Sequence, residues 1–157
     1  VADLLRNITL LTATGAGVGY LPRFPGTFGT CLAIPCSLAL NQLAIHTLYG
    51  ALFLLIGFIA FAIWLSGSAA AMLARKDPQV IVIDEVAGFL IANFFNQQKL
   101  SSLALAFILF RFFDIVKVFP AAEAERLPAG FGIVCDDVIA GVYTLVILYA
   151  LPDWRWA

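Results

Sequence analysis

Apolar residues fill this chain in long runs, and short polar breaks between the runs set the expected element boundaries. Residues 24–74 hold 51 consecutive positions without an Asp, Glu, Lys or Arg. A helix crosses a bilayer in about 20 apolar residues, so this stretch accommodates two spans. Asn41 and Gln42, with His46 just after them, form the natural hairpin tip. Spans are therefore expected over about 27–43 and 47–73. Arg75, Lys76, Asp77, Pro78 and Gln79 make the next break. Residues 80–95 are apolar but carry Asp84, Glu85 and Asn93, which suits a short helix that is partly buried or tilted. A turn over 96–99 leads to a segment over 100–118, which stops before Pro120. Residues 121–132 form the longest polar connection, and 133–151 the last segment, closed by Pro152, Trp154 and Trp156. No strand-type alternation of useful length occurs. The expected fold is all-α, a compact membrane bundle of about five apolar helices, within a single domain over 1–157.

The first fourteen residues add an amphipathic helix. Leu4, Leu5, Ile8 and Leu11 share one face, with Asp3, Arg6, Asn7 and Thr9 elsewhere and Leu10 opposite. Polar residues break the apolar run and no basic region precedes it, so an interfacial helix fits better than a signal peptide. Composition agrees with this picture. The chain of 157 residues is 62% hydrophobic and 12% charged, against about 25% charged in soluble domains. A net charge of −1 excludes the concentrated basic surface that nucleic-acid binding requires. Cys31, Cys36 and Cys135 lack metal-type spacing and are expected to be small buried thiols.

Basic residues set the expected orientation. With the N-terminus inside, Arg6, Arg23, Arg75, Lys76, Lys117 and Arg126 are cytoplasmic, against Lys99 and Arg155 outside. This topology gathers the Gly-rich segment 15–30, Asp84 and Glu85, Asp114 and Lys117, and Asp136 and Asp137 at the cytoplasmic ends of their segments.

Five of the ten carboxylates lie in or beside apolar segments: Asp84, Glu85, Asp114, Asp136 and Asp137. Each unpaired charge within a membrane helix costs about 2.5–3.5 kcal/mol, and Arg111 and Lys117 cannot balance all five. A hard divalent cation such as Mg²⁺ can. Helix N-terminal capping is the plainer reading of the two acidic pairs, but it leaves Asp114, late in its helix, unexplained. Arg111, Asp114 and Lys117 recur at steps of three. Either this stripe is a local salt bridge, or Asp114 serves the metal and the cations serve an anion. Thr27 can cap the helix that follows the Gly-rich segment, whose free N–H groups would favour phosphate. The segment is no P-loop, and a flexible turn is the alternative. Asp84, Glu85 and Gly88 are echoed by Asp136, Asp137 and Gly141, which suggests two helices crossing near a shared site. The one histidine, His46, falls at the far hairpin tip, so His-dependent phosphatase, triad and zinc chemistries are excluded. Metal-assisted chemistry on a phosphate at a membrane surface remains. A small transporter with intramembrane acids is the rival, and it would place them near mid-span.

Four motifs together carry a resemblance: Pro25-Gly26-Thr27 with Gly29; Asp84-Glu85 with Gly88; residues 110–117 from Phe110 to Lys117 with Pro120; and Gly130-Phe131-Gly132-Ile133 followed by Asp136-Asp137 and Ala140-Gly141. In this order and spacing they closely resemble the bacterial phosphatidylglycerophosphatase A family over about residues 12–150. The resemblance implies a compact helical, Mg²⁺-dependent enzyme of the bacterial inner membrane. Such an enzyme hydrolyses phosphatidylglycerophosphate to phosphatidylglycerol and phosphate, the last step in making that lipid. By matching position it implies Asp84, Glu85, Asp114, Asp136 and Asp137 as metal ligands, with Asp84, Asp114 and Asp137 catalytic. It implies Thr27, Arg111 and Lys117 as phosphate contacts. Water or a carboxylate can serve as the nucleophile.

Overall fold

The computed structural model describes residues 2–96 and 98–151; Pro152, Trp154, Arg155 and Trp156, to which the sequence assigns a closing tail and one outside charge, lie outside them. The helices are α1 (Ala2–Ala13), α2 (Pro25–His46), α3 (Leu48–Leu73), α4 (Ile83–Ala92), α5 (Leu100–Val116), α6 (Ala121–Ala124) and α7 (Gly130–Ala150), with a 3₁₀ turn over Val18–Tyr20. No strand occurs among the described residues, so the all-α bundle stands.

Among the described residues three helices, α2, α3 and α7, are long and apolar enough to cross a membrane. Five were expected from the apolar runs. The ten residues of α4 extend only about 15 Å, half of a bilayer's apolar thickness. They survive there because α4 is the core of the bundle, wrapped by α2, α3, α5 and α7 and buried almost throughout. A short helix carrying two acids thus meets protein rather than lipid. Phe89 of α4 anchors this packing edge-on against Phe110 of α5, with ring centroids 5.8 Å apart.

The crossing of α4 and α7 depends on missing side chains. A Cβ on Gly88 would stand 2.6 Å from the Asp137 carbonyl oxygen, and one on Gly141 would strike the Gly88 carbonyl oxygen. Lipid offers no hydrophobic force between helices, and close backbone approach at small residues takes its place. The echo between the two acidic motifs is therefore a real crossing.

Asn41 is not at a hairpin tip. The turn falls at Thr47, whose side chain accepts from the Gly50 N–H, and Asn41 is buried within α2. Its amide donates to the Asn93 carbonyl at 2.7 Å and accepts from the Phe95 N–H at 3.1 Å. Asn93 in turn donates to Ser37 Oγ at 2.9 Å. These side chains satisfy the backbone where α4 ends deep inside the protein, which is why a polar residue sits mid-span.

Around this core, α1 packs on α3 and leaves Leu4, Leu5, Ile8 and Leu11 exposed, while Leu10 and Ala13 face inward. The apolar face of the expected interfacial helix thus points away from the bundle. The expectation of buried thiols fails: Cys31 and Cys36 are exposed on α2 and Cys135 is half-buried, all three as free thiols. On a lipid-facing surface an apolar thiol costs nothing.

Antiparallel succession brings the N-termini of α2 and α4, the first turns of α7 and the C-terminus of α5 to one end. The segment before α4 is pinned there, the Val82 N–H donating to the Ala13 carbonyl at 2.9 Å.

Candidate active site

Asp84 and Glu85 occupy the first turn of α4, where the helix dipole favours them. Asp136 and Asp137 do not enjoy that placement. Helix α7 begins at Gly130, three residues before the expected start at Ile133, because Gly130 packs directly against Gly67 of α3. The pair therefore lies in the second turn, beyond the range of N-terminal capping. Asp84, Asp136 and Asp137 are all buried.

The structure divides the five acids into two groups. Asp114 pairs with Arg111 on the same face of α5, and Asp136 accepts a hydrogen bond from Lys117 at 2.8 Å. Glu125, which no sequence motif marks, is the second partner of Lys117. Asp84, Glu85 and Asp137 form the other group, with ligand-type oxygens within 4.8 Å of one another. Lys117 is the C-cap of α5, in the left-handed conformation that turns the chain back towards α7. Burial alone would lower its pKa, but the hydrogen bonds and charges of Asp136 and Glu125 outweigh that effect and hold it above the ordinary lysine value.

All five acids, Arg111 and Lys117 line one cavity of about 380 Å³. The local salt bridge and the functional reading of the α5 stripe are therefore compatible. Thr27 does not line this cavity, and it is not the α2 cap. Phe24 is the N-cap, and the Thr27 N–H donates to the Phe24 carbonyl at 3.0 Å. Its place is taken by Gly26, whose missing side chain makes room for two site residues. A Cβ there would collide with Glu85 Oε1 and come within 2.9 Å of Arg111 Nη1. Phe24, Asp77 and Gln79 also line the cavity, though no sequence motif marks them as site residues. The signal available for Asp77 was its charge one short connection ahead of the acidic helix.

The cluster has the character of a cation site. Asp84 Oδ1, Glu85 Oε2 and Asp137 Oδ1 are buried and accept no hydrogen bond, and the same is true of Asp136 Oδ1, whose other oxygen meets Lys117. Buried carboxylate oxygens without a donor are costly, and a cation is the partner that removes the cost. Hard oxygens from two helices, open to a cavity with room for water and phosphate, fit Mg²⁺.

Comparison with known proteins identifies the family. The family model for phosphatidylglycerophosphatase A matches residues 11–152. A Haemophilus influenzae protein named phosphatidylglycerophosphatase A is 36% identical over 97% of this chain and 93% of its own length. An Escherichia coli protein of the same name is 33% identical over 88% of this chain and 80% of its own. A Bacteroides thetaiotaomicron protein, provisionally named as a phosphatidylinositol-3-phosphatase, is 34% identical over 94% of both chains. No solved structure gives a significant match. With the family model spanning nearly all of its length, the chain is a member of the phosphatidylglycerophosphatase A family.

Proposed function

We propose that the protein hydrolyses the terminal phosphomonoester of phosphatidylglycerophosphate, releasing phosphatidylglycerol and inorganic phosphate, with Mg²⁺ held by Asp84, Glu85 and Asp137. The observation that carries this reading is the juxtaposition, in one cavity, of three clustered carboxylates that each keep a buried oxygen without a hydrogen-bond donor and two side-chain cations. Mg²⁺ held by these carboxylates would act as a Lewis acid, stabilising the charge that develops on the phosphoryl group and its leaving oxygen. Arg111 presents a planar fork to two phosphate oxygens, and Asp114 fixes its orientation. Lys117 adds a point charge, steadied by Asp136 and Glu125. Burial of Asp84, Asp136 and Asp137 lowers the local dielectric and strengthens the interactions they make.

The placement of the acids at one end of the bundle, away from mid-span, favours an enzyme at the membrane surface over a transport pathway. The excess of Arg and Lys at that end supports a cytoplasmic-facing site in the bacterial inner membrane. Phosphate release in detergent tests the reading, with Mg²⁺ and then with EDTA, on phosphatidylglycerophosphate and on phosphatidylinositol 3-phosphate. Mg²⁺-dependent release from the first substrate in preference to the second is expected. Release from the second alone overturns the substrate assignment, and release undiminished by EDTA overturns the metal.

A further inference from the structure

Phe24 has a conformation that folding does not explain. As N-cap of α2 it sits at φ 54° and ψ 51°, in the left-handed region where a bulky side chain is disfavoured and Gly is ordinary. Its side chain makes no capping hydrogen bond and is 74% exposed, so neither capping nor burial offsets the strain. It nevertheless lines the cavity that holds the acids. Strain of this kind clusters at functional sites, and Phe24, unlike Phe95 with its similar φ, stands at the cavity.

A second apolar side chain lines the same cavity. Ile115 lies one turn beyond Arg111 on the same face of α5 and is 69% exposed. Helices α2 and α5 each pack on α4, so Phe24 and Ile115 approach the cavity from different helices. Asp77 and Gln79 of the connection between α3 and α4 supply a polar part of the wall. The cavity is thus amphipathic, with apolar side chains continuous with a cation-bearing floor. A soluble phosphate ester has no use for two exposed apolar groups beside its phosphate. A lipid phosphomonoester does.

We propose that Phe24 and Ile115 form an apolar rim that holds the diacylglycerol end of the lipid while its terminal phosphate reaches Arg111 and Lys117. The rim makes the site select acylated phosphomonoesters over their deacylated headgroups. This inference rests on the proposed phosphatase reading and assigns the part of the site that chooses its substrate class.

The test compares dioleoyl phosphatidylglycerophosphate in mixed micelles with its fully deacylated headgroup, using wild type, Phe24→Gly and Ile115→Ser. Phe24→Gly relieves the backbone strain, so its Tm is expected to stay at or above that of wild type. In both variants the ratio of kcat/KM for the lipid to that for the headgroup is expected to fall about tenfold, carried by KM for the lipid. An unchanged ratio in both variants overturns the rim while leaving the phosphatase reading intact. Hydrolysis of neither substrate by wild type overturns the phosphatase reading, and the rim with it.

Discussion

Gly88 of α4 and Asp137 of α7 meet backbone to backbone, so closely that a Cβ on Gly88 would stand 2.6 Å from the Asp137 carbonyl oxygen. The contact joins the helix that carries Asp84 and Glu85 to the one that carries Asp136 and Asp137. It sets the distance between the two halves of the acidic cluster.

Gly88→Ala is therefore expected to cost about 1–3 kcal/mol of stability through overpacking, and to lower activity further by shifting Asp137. Gly57 of α3 is the control, because a Cβ there meets nothing within 4 Å. Gly57→Ala is expected to be neutral or stabilising by up to about 1 kcal/mol. Thermal melts in detergent check both, and equal destabilisation by the two substitutions would contradict the crossing.

Gly26→Ala changes no charge and adds one methyl group against Glu85 and Arg111. The expected outcome is a loss of about 10²-fold in kcat/KM with little change in Tm, since displacement of a positioning group by about 1 Å suffices. Retained kcat/KM would mean that the contact has no bearing on the reaction.

Arg111→Lys keeps the positive charge but removes the planar fork that Asp114 orients. A drop of about 10–10²-fold in kcat/KM is expected, with phosphate inhibition weakened in parallel. Equal inhibition by inorganic phosphate in variant and wild type would remove Arg111 from the binding role.

Lys117 should be silent in the ordinary assay range. Its folded pKa lies above the usual 10.5, so the stability its ion pairs supply is fully present below that value and is lost only as pH rises through the folded pKa. The Tm difference between wild type and Lys117→Met is thus expected to be flat between about pH 8 and 10. Measured melts across that range check it, and a difference that shrinks steadily within the window would refute the raised value.

Much of this was legible in the sequence. The polar breaks located the ends of α3, α5 and α7 to within a few residues, because charges leave lipid wherever the chain turns. The cost of charge in apolar segments also marked all five site acids. Other features depended on side chains meeting across helices. Asn41 reads as a turn residue locally and becomes a core residue only because α4 stops short beside it. Thr27 has the local chemistry of a cap, yet the Pro25 ring starts the helix two residues earlier. Gly26 and Gly88 matter through what their missing side chains admit, which no single-helix pattern reveals. The division between the acids ion-paired to Arg111 and Lys117 and the cluster of Asp84, Glu85 and Asp137 likewise follows from three-dimensional packing.

The central claim is that the cluster of Asp84, Glu85 and Asp137 holds the ion on which phosphate release depends. Phosphate release from phosphatidylglycerophosphate by Asp84→Asn and Asp137→Asn, purified in detergent with Mg²⁺, tests it most directly. Each variant is expected to remain folded and to lose nearly all activity, together with the rise in Tm that Mg²⁺ gives wild type. Full phosphate release by both variants would contradict the account.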